Sequence, residues 1–348
     1  RPEWALRLPF ALFGVGGVVV LLFLLARLHS RRAAWIAALV CATSPYYFLI
    51  ARQAITDMPS CALLLASMAL FALAADDRAD APLTRKLGLS GHHIFLVVFT
   101  LIVMPQLGYF TANLFGSWFR LSRKLAVPGP FAMLPFLLTF LGAVGWSRKK
   151  TSTQRQVLMY WFYLVNGLAV LAKGPVSPAL AGLTILGYLA LTARWRLLTK
   201  LEIPRGLLIG AAVCLPWHFA IYAKDGSGWF AEYVRQHLFS GAFVGVHGDR
   251  GSFDYFLGQL GIGMWPWAAL LPAALAGLFA ARRRLDGREH LRLLLGVWAV
   301  VGFTFFSIIQ TKFHHYLLPI VPAFAALIAI WLDDLLAGEV PLARPALL

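Results

Sequence analysis

Apolar residues in this chain come in runs of about 16 to 28, each closed by a short stretch carrying Arg, Lys, Gly or Pro, the rhythm of membrane-crossing helices. The runs lie near residues 8–28, 33–50, 58–75, 93–114, 130–146, 157–172, 176–193, 206–223, 253–280, 291–309 and 316–332. An all-α, polytopic integral membrane protein is expected, with about 11 transmembrane helices in a single domain over residues 1–348. Stretches such as Val18 to Ala26 and Leu270 to Ala281 are apolar on every face. A barrel strand would alternate apolar and polar positions over about ten residues, so a barrel is excluded.

Composition agrees: 60% of the 348 residues are hydrophobic and only 13% are charged. The 31 Lys and Arg against 15 Asp and Glu give a formal charge of +16, which in a soluble chain would suggest nucleic acid. Topology accounts for it instead, and no nucleic-acid partner is expected. Alternate threading puts Arg27 to Arg32, Arg78 to Lys86, Arg148 to Arg155, Arg194 to Arg205 and Arg282 to Arg292 on one side, with about two thirds of all cations. That side is read as cytoplasmic, so residue 1 is external and Leu348 internal. An odd number of spans with an external start implies one further helix ahead of Arg1. Cys41, Cys61 and Cys214 stand singly in apolar runs and offer neither a thiolate zinc site nor a disulfide framework. Residues 115–121, next to Arg123 and Lys124, are expected to lie in the interface as an amphipathic stretch. The longest non-spanning stretch is the external loop of residues 224–252.

Polar residues on the external helix ends have no orienting role, so chemistry is sought among them. Asp57 opens an apolar helix, where a carboxylate either caps the helix or sits at the membrane boundary as a site acid. Arg52, five residues earlier, offers a fork for a phosphate. Lys173 stands in a Lys-Gly-Pro break between two spans, as a snorkelling turn lysine or an anion ligand. Lys312, His314, His315 and Tyr316 gather one ammonium and two imidazoles into another turn. In the external stretch, Trp229, Tyr233 and Gln236 share a helical face. The Gly-rich part around His247, Asp249 and Arg250 offers N–H groups and a guanidinium to an anionic headgroup. His237 and His247 read either as solvated loop histidines or as ligands.

Taken in order, several motifs carry a resemblance: Glu3-Trp4-Ala5-Leu6-Arg7-Leu8-Pro9, Ala51-Arg52 with Thr56-Asp57-Met58-Pro59, Leu171-Ala172-Lys173-Gly174-Pro175, Pro216-Trp217, the His237 to Arg250 loop, and Lys312 through Pro319. Together they resemble the bacterial glycosyltransferases of the GT-C superfamily, in the group holding the lipid A aminoarabinose transferase and the protein O-mannosyltransferases. The resemblance runs from residue 1 to about 332, except over residues 80–156. It implies a multi-pass enzyme of the bacterial inner membrane, with its active face periplasmic. Such an enzyme takes a sugar from a polyprenyl-phosphate-linked donor and passes it, with inversion, to a glycolipid such as lipid A or to a protein. Within it, Asp57 matches the family's second acidic position, which implies a supporting catalytic role beside the principal acid. Arg52, Lys173, Arg250 and Lys312 are implied phosphate ligands, with His237, His247, His315 and Tyr316 around the sugar and lipid phosphate, and Trp217 and Trp229 along the lipid path.

Two departures from the family follow. Its principal acid lies in a first external loop after a first helix, both of which would fall upstream of residue 1. Residues 80–156 read as an atypical insertion with two extra spans. The family also admits a divalent metal, for which Glu3 and His237 are the matching residues. From other classes, a secondary transporter would gather ionisable groups at mid-membrane on repeated broken helices, which this pattern lacks. A non-catalytic lipid-binding membrane protein remains as a second alternative.

Overall fold

The computed structural model describes residues 2–86, 89–120, 126–240, 254–279 and 287–338. Every expected apolar run that falls in these residues is helical. In chain order the helices are α1 (Pro2–Leu28), α2 (Arg31–Thr43), α3 (Pro45–Ala51), α4 (Asp57–Ala75), α5 (Gly91–Asn113), α6 (Leu134–Lys150), α7 (Gln154–Lys173), α8 (Val176–Thr192), α9 (Ile203–Asp225), α10 (Tyr255–Gly263), α11 (Leu271–Phe279), α12 (Gly287–Ile308) and α13 (Val321–Leu336). The chain is thus a polytopic, all-α membrane protein, with two small antiparallel hairpins between helices.

The count of spans differs from the eleven expected. Among the described residues seven helices are long and apolar enough to cross a bilayer, or nine if each of two bent pairs is one span. The pairs are α2 with α3, bent by 66° at Ser44-Pro45, and α10 with Trp267–Leu278, bent by 114° around Pro266. In both, proline fixes φ and removes the N–H that would have continued the helix. The two remaining runs are helical as well. α7 carries Gln154, Arg155, Gln156, Asn166 and Lys173, and α8 has only 17 residues.

Two apolar cores hold the bundle. The larger gathers α1 to α4, α8, α12 and α13; the smaller gathers α5, α6 and α9. α7 joins them, giving Met159 and Phe162 to the first core and Val157, Tyr160 and Leu164 to the second. Val321 through Ile330 of α13 are buried on every side, as befits an apolar helix at the centre of a bundle. Helix starts follow capping rules: the Ser30 hydroxyl accepts from Ala33 N at 3.0 Å, and Thr153 with Gln156 forms a capping box at the head of α7.

The bundle has two chemically distinct ends. Leu28, Ala75, Asp77, Arg194 and Gly287 meet around one cavity of about 630 Å³, so the Arg-rich loops that threading placed together do share an end. Arg32 and Arg292 pair there with Asp333 and Asp334, and His29 is buried against both carboxylates, its Nε2 3.3 Å from Asp333. Burial holds the His29 imidazole below its usual pKa, outweighing the pull of the two carboxylates. At the other end lie the first residue of α4, the last of α7 and the turn before α13. There Trp118–Arg120 pairs antiparallel with Ala126–Pro128. Phe119 packs against Phe219 at 5.1 Å while Phe115 and Trp118 are exposed, so the segment carries one aromatic face against the bundle and one turned outward.

Candidate functional site

Asp57 is the first residue of α4, with Thr56 before it as the capping residue. Thr56 makes no side-chain cap bond, and the Asp57 carboxylate is turned elsewhere. It accepts a hydrogen bond from the Lys173 ammonium, and His315 Nε2 stands 3.7 Å away. Asp57 is 5% exposed, so both partners act on a carboxylate withdrawn from water.

Lys173 reaches this position because α7 ends on it. Gly174 follows with φ +79°, a left-handed value that glycine adopts without Cβ strain, and its N–H closes the helix on Val170 O at 2.8 Å. Pro175 then starts the turn into α8. The ammonium also lies 5.2 Å from the centre of the Tyr316 ring, a cation–π contact. His315 and Tyr316 come from the short helical turn His314–Ile320, where the His315 ring stacks on Phe313 at 5.6 Å. Beneath Asp57, the buried hydroxyls of Ser60 and Ser177 share a hydrogen bond of 2.7 Å that ties α4 to α8.

These groups open into a chamber of about 530 Å³, whose lining includes Asp57, Ser60, Lys173, Tyr233, Phe306 and Tyr316. Its walls are mainly apolar and its ionic groups are confined to one corner. Over the turn of Lys173 lies an aromatic group in which Trp229 stacks on Tyr233 at 5.0 Å and 9°, with Trp217 6.0 Å from Trp229. Tyr233 belongs to Ala231–Ser240, which is wound with π-helical geometry, and burial pushes its phenol above the usual pKa. A lysine ammonium beside a carboxylate and an imidazole, next to an apolar chamber, can neutralise a phosphate and pass a proton at the membrane surface.

The residues expected from sequence fall into three groups. Asp57, Lys173, His315 and Tyr316 converge. Lys312 lies apart from the cluster although it is three residues from His315. Its ammonium donates to the carbonyls of Phe306, Ser307 and Ile309 at 3.2, 2.6 and 2.6 Å, closing the end of α12, and burial lowers its pKa. Arg52 is exposed at the end of α3, its guanidinium 5.1 Å over the Phe48 ring, and does not line the chamber. Glu3 is exposed in the first turn of α1. His247, Arg250 and the His237 side chain lie outside the described residues. Among the described residues no group of three or more His, Cys, Asp or Glu could hold a metal ion. Ser60 and Ser177 were not anticipated, since each reads as an ordinary small residue within an apolar helix.

Comparison with known proteins adds kinship. A family described as dolichyl-phosphate-mannose-protein mannosyltransferase matches residues 1–124. The undecaprenyl phosphate-alpha-4-amino-4-deoxy-L-arabinose arabinosyl transferase of Pectobacterium carotovorum is 28% identical over 246 residues, covering 69% of this chain and 43% of that protein. The protein of the same name from Edwardsiella ictaluri is 31% identical over 176 residues, 51% of this chain and 31% of its own. The crystal structure of ArnT from Cupriavidus metallidurans bound to undecaprenyl phosphate superposes with a TM-score of 0.64 at 22% identity, covering 95% of this chain and 46% of that one. The chain therefore spans less than half the length of these relatives.

Proposed function

Because this chain has the GT-C fold and is related to the aminoarabinose and protein mannosyl transferases, we propose that it is a glycosyltransferase using a polyprenyl-phosphate-linked sugar and an envelope lipid acceptor. The observation that carries this reading is the Lys173–Asp57–His315 cluster at the edge of an apolar chamber. A lipid-linked donor brings a phosphate attached to hydrocarbon, and the chamber places one ammonium beside apolar walls.

In this mechanism the acceptor hydroxyl attacks the anomeric carbon as the bond to the phosphate oxygen breaks, which inverts the centre. The polyprenyl phosphate leaves with the bonding pair, and Lys173 neutralises its added charge. When the phosphate takes Lys173, Asp57 loses its partner and becomes the group able to receive the acceptor proton, with His315 beside it. Tyr316 holds the ammonium in line, and the Trp229–Tyr233 stack covers the sugar side. The chamber end is external and the Arg-rich end cytoplasmic, in keeping with the positive-inside rule, and the enzyme resides in the bacterial inner membrane. Arg250 and His247 are further phosphate ligands in this scheme. A protein acceptor is the second reading, supported by the mannosyltransferase family matched over residues 1–124.

The test follows radiolabelled sugar from polyprenyl phosphate into lipid and protein fractions of membranes carrying the protein. Label in the lipid fraction, lost on Asp57→Asn, is expected. Label in protein alone would favour the second reading, and no transfer by a folded, inserted protein would overturn both.

A further inference from the structure

The cavity at the Arg-rich end, of about 630 Å³, lies where α1, α4 and α8 end and α12 begins. None of its described lining residues also lines the chamber by Lys173. Ala72, Leu291 and Leu294 are buried and give it an apolar floor. The rim carries charges of both signs, on Asp76, Asp77, Arg78 and Arg194. Among the described residues Arg194 pairs with Asp77 at 3.1 Å, whereas neither Asp76 nor Arg78 makes an ion pair. The Asp76 carboxylate caps the turn Asp77–Asp80, accepting the Arg78 backbone N–H at 2.8 Å, and this holds it on the backbone.

Arg194 is fixed by more than its acid. Its guanidinium donates to Ala75 O and to the Tyr188 hydroxyl, both at 3.2 Å, and that hydroxyl passes its own proton to His290 Nδ1 at 3.0 Å. Asp77, by contrast, has a side chain 94% exposed, so its pairing with Arg194 is weak and readily exchanged for another anion. An anion alone would meet two carboxylates at this rim, and a cation alone two guanidiniums. A ligand bearing both charges finds a partner for each.

We propose that this cavity binds the head group of a membrane lipid carrying a phosphate and a primary ammonium, the phosphate on Arg78 and Arg194 and the ammonium on Asp76. Two observations favour a lipid over a soluble zwitterion. The cavity lies at the ends of the membrane-crossing helices α1, α4 and α12, the level at which head groups stand. Its apolar floor beneath an ionic rim also matches a molecule whose polar group continues into hydrocarbon. The inference goes beyond the transferase reading and does not depend on it. It bears on the site through α4, which begins at Asp57 and ends at Ala75 on this cavity, so a bound lipid braces the helix that carries the acid.

The experiment measures lipid binding to the detergent-purified protein by native mass spectrometry. The probes are dioleoyl phosphatidylethanolamine, phosphatidylcholine and phosphatidylglycerol in equal amounts: the second keeps both charges but has no ammonium N–H, and the third has no ammonium. The wild type is expected to prefer the ethanolamine lipid over the other two by about threefold to tenfold, the worth of one charged hydrogen bond near the surface. Asp76→Asn keeps the cap, because the amide oxygen still accepts the Arg78 N–H, and removes that preference. Arg78→Gln lowers binding of the ethanolamine lipid by a similar factor. Equal binding of the three lipids to the wild type, or an ethanolamine preference that survives in Asp76→Asn, overturns the assignment. Free O-phosphoethanolamine at millimolar concentration is expected not to displace the lipid, and displacement would overturn the lipid in favour of a soluble zwitterion. Binding is read without turnover, so loss or absence of sugar transfer leaves these ratios unaffected.

Discussion

Lys173 and Asp57, 116 positions apart in sequence, meet as an ion pair where the last residue of α7 faces the first residue of α4. The helix ends reinforce the pair: a cation stands at a C-terminus and an anion at an N-terminus, each favoured by the helix dipole. Lys173→Gln and Asp57→Asn are each expected to lower sugar transfer by about 100-fold or more, the usual cost of removing one group that stabilises developing charge. The Lys173 side chain is 31% exposed, so the stability cost is set by the buried carboxylate, about 1–2 kcal/mol rather than the larger value of a fully buried pair. The double variant is expected to be no worse than either single one, read from transfer rates and thermal midpoints together. Additive losses would show that the two residues act separately.

Gly174 gives a sharper test of how that turn is held. Its φ of +79° strains any other residue, and a Cβ there would lie 2.5 Å from the Tyr233 hydroxyl. Gly226 has a similar φ of +70°, yet its Cβ would meet nothing within 4 Å. Gly226→Ala is expected to cost about 1 kcal/mol from backbone strain alone. Gly174→Ala pays the same strain and also displaces Tyr233 from the chamber roof, so a larger fall in thermal midpoint and a loss of transfer are expected. Equal effects of the two substitutions would remove Tyr233 from the site.

The helices were legible because long apolar runs leave a bilayer protein few alternatives. The bends were not, since apolar character continues through Ser44-Pro45 and around Pro266 and only the prolines mark them. Sequence threading put Asp57, Lys173 and His315 at one end of the bundle. It could not bring them into contact, because a pairing across 116 residues depends on how α4 and α7 pack. Nearness along the chain misled at Lys312, whose flexible stem turns back onto carbonyls of α12 while His315 turns toward Asp57.

Away from the site, Asp80 is one contributor to the pH dependence of stability. A hydrogen bond from Lys200 at 2.7 Å, together with the nearby Arg155 charge, holds its carboxyl below the usual carboxylate range despite some desolvation. A depressed pKa stabilises the fold fully above the unfolded value of about 4, and the contribution is lost as pH falls through the lower folded value. Asp80 is about half exposed, so the effect is about 1 kcal/mol or less. Asp80→Asn is expected to lower the thermal midpoint at pH 7, with the difference from wild type closing as pH drops below about 4. A gap that stays constant down to pH 3 would mean that packing, not charge, is lost.

Lys312 separates structural from catalytic lysines. Its ammonium closes three carbonyls at the end of α12, orphan acceptors that every helix C-terminus must satisfy. Lys312→Met keeps the stem against Phe256, whose ring lies 5.3 Å from the ammonium, but leaves those carbonyls without their donor. A stability loss of about 1–3 kcal/mol is expected. Because the ammonium faces α12 and not the chamber, KM for the polyprenyl phosphate donor is expected to stay unchanged at temperatures where the variant is folded. Lys173→Gln, by contrast, is expected to affect turnover far more than the thermal midpoint. A raised donor KM in Lys312→Met, with an unaltered midpoint, would return Lys312 to the phosphate ligands and show that its side chain swings into the chamber when the donor binds.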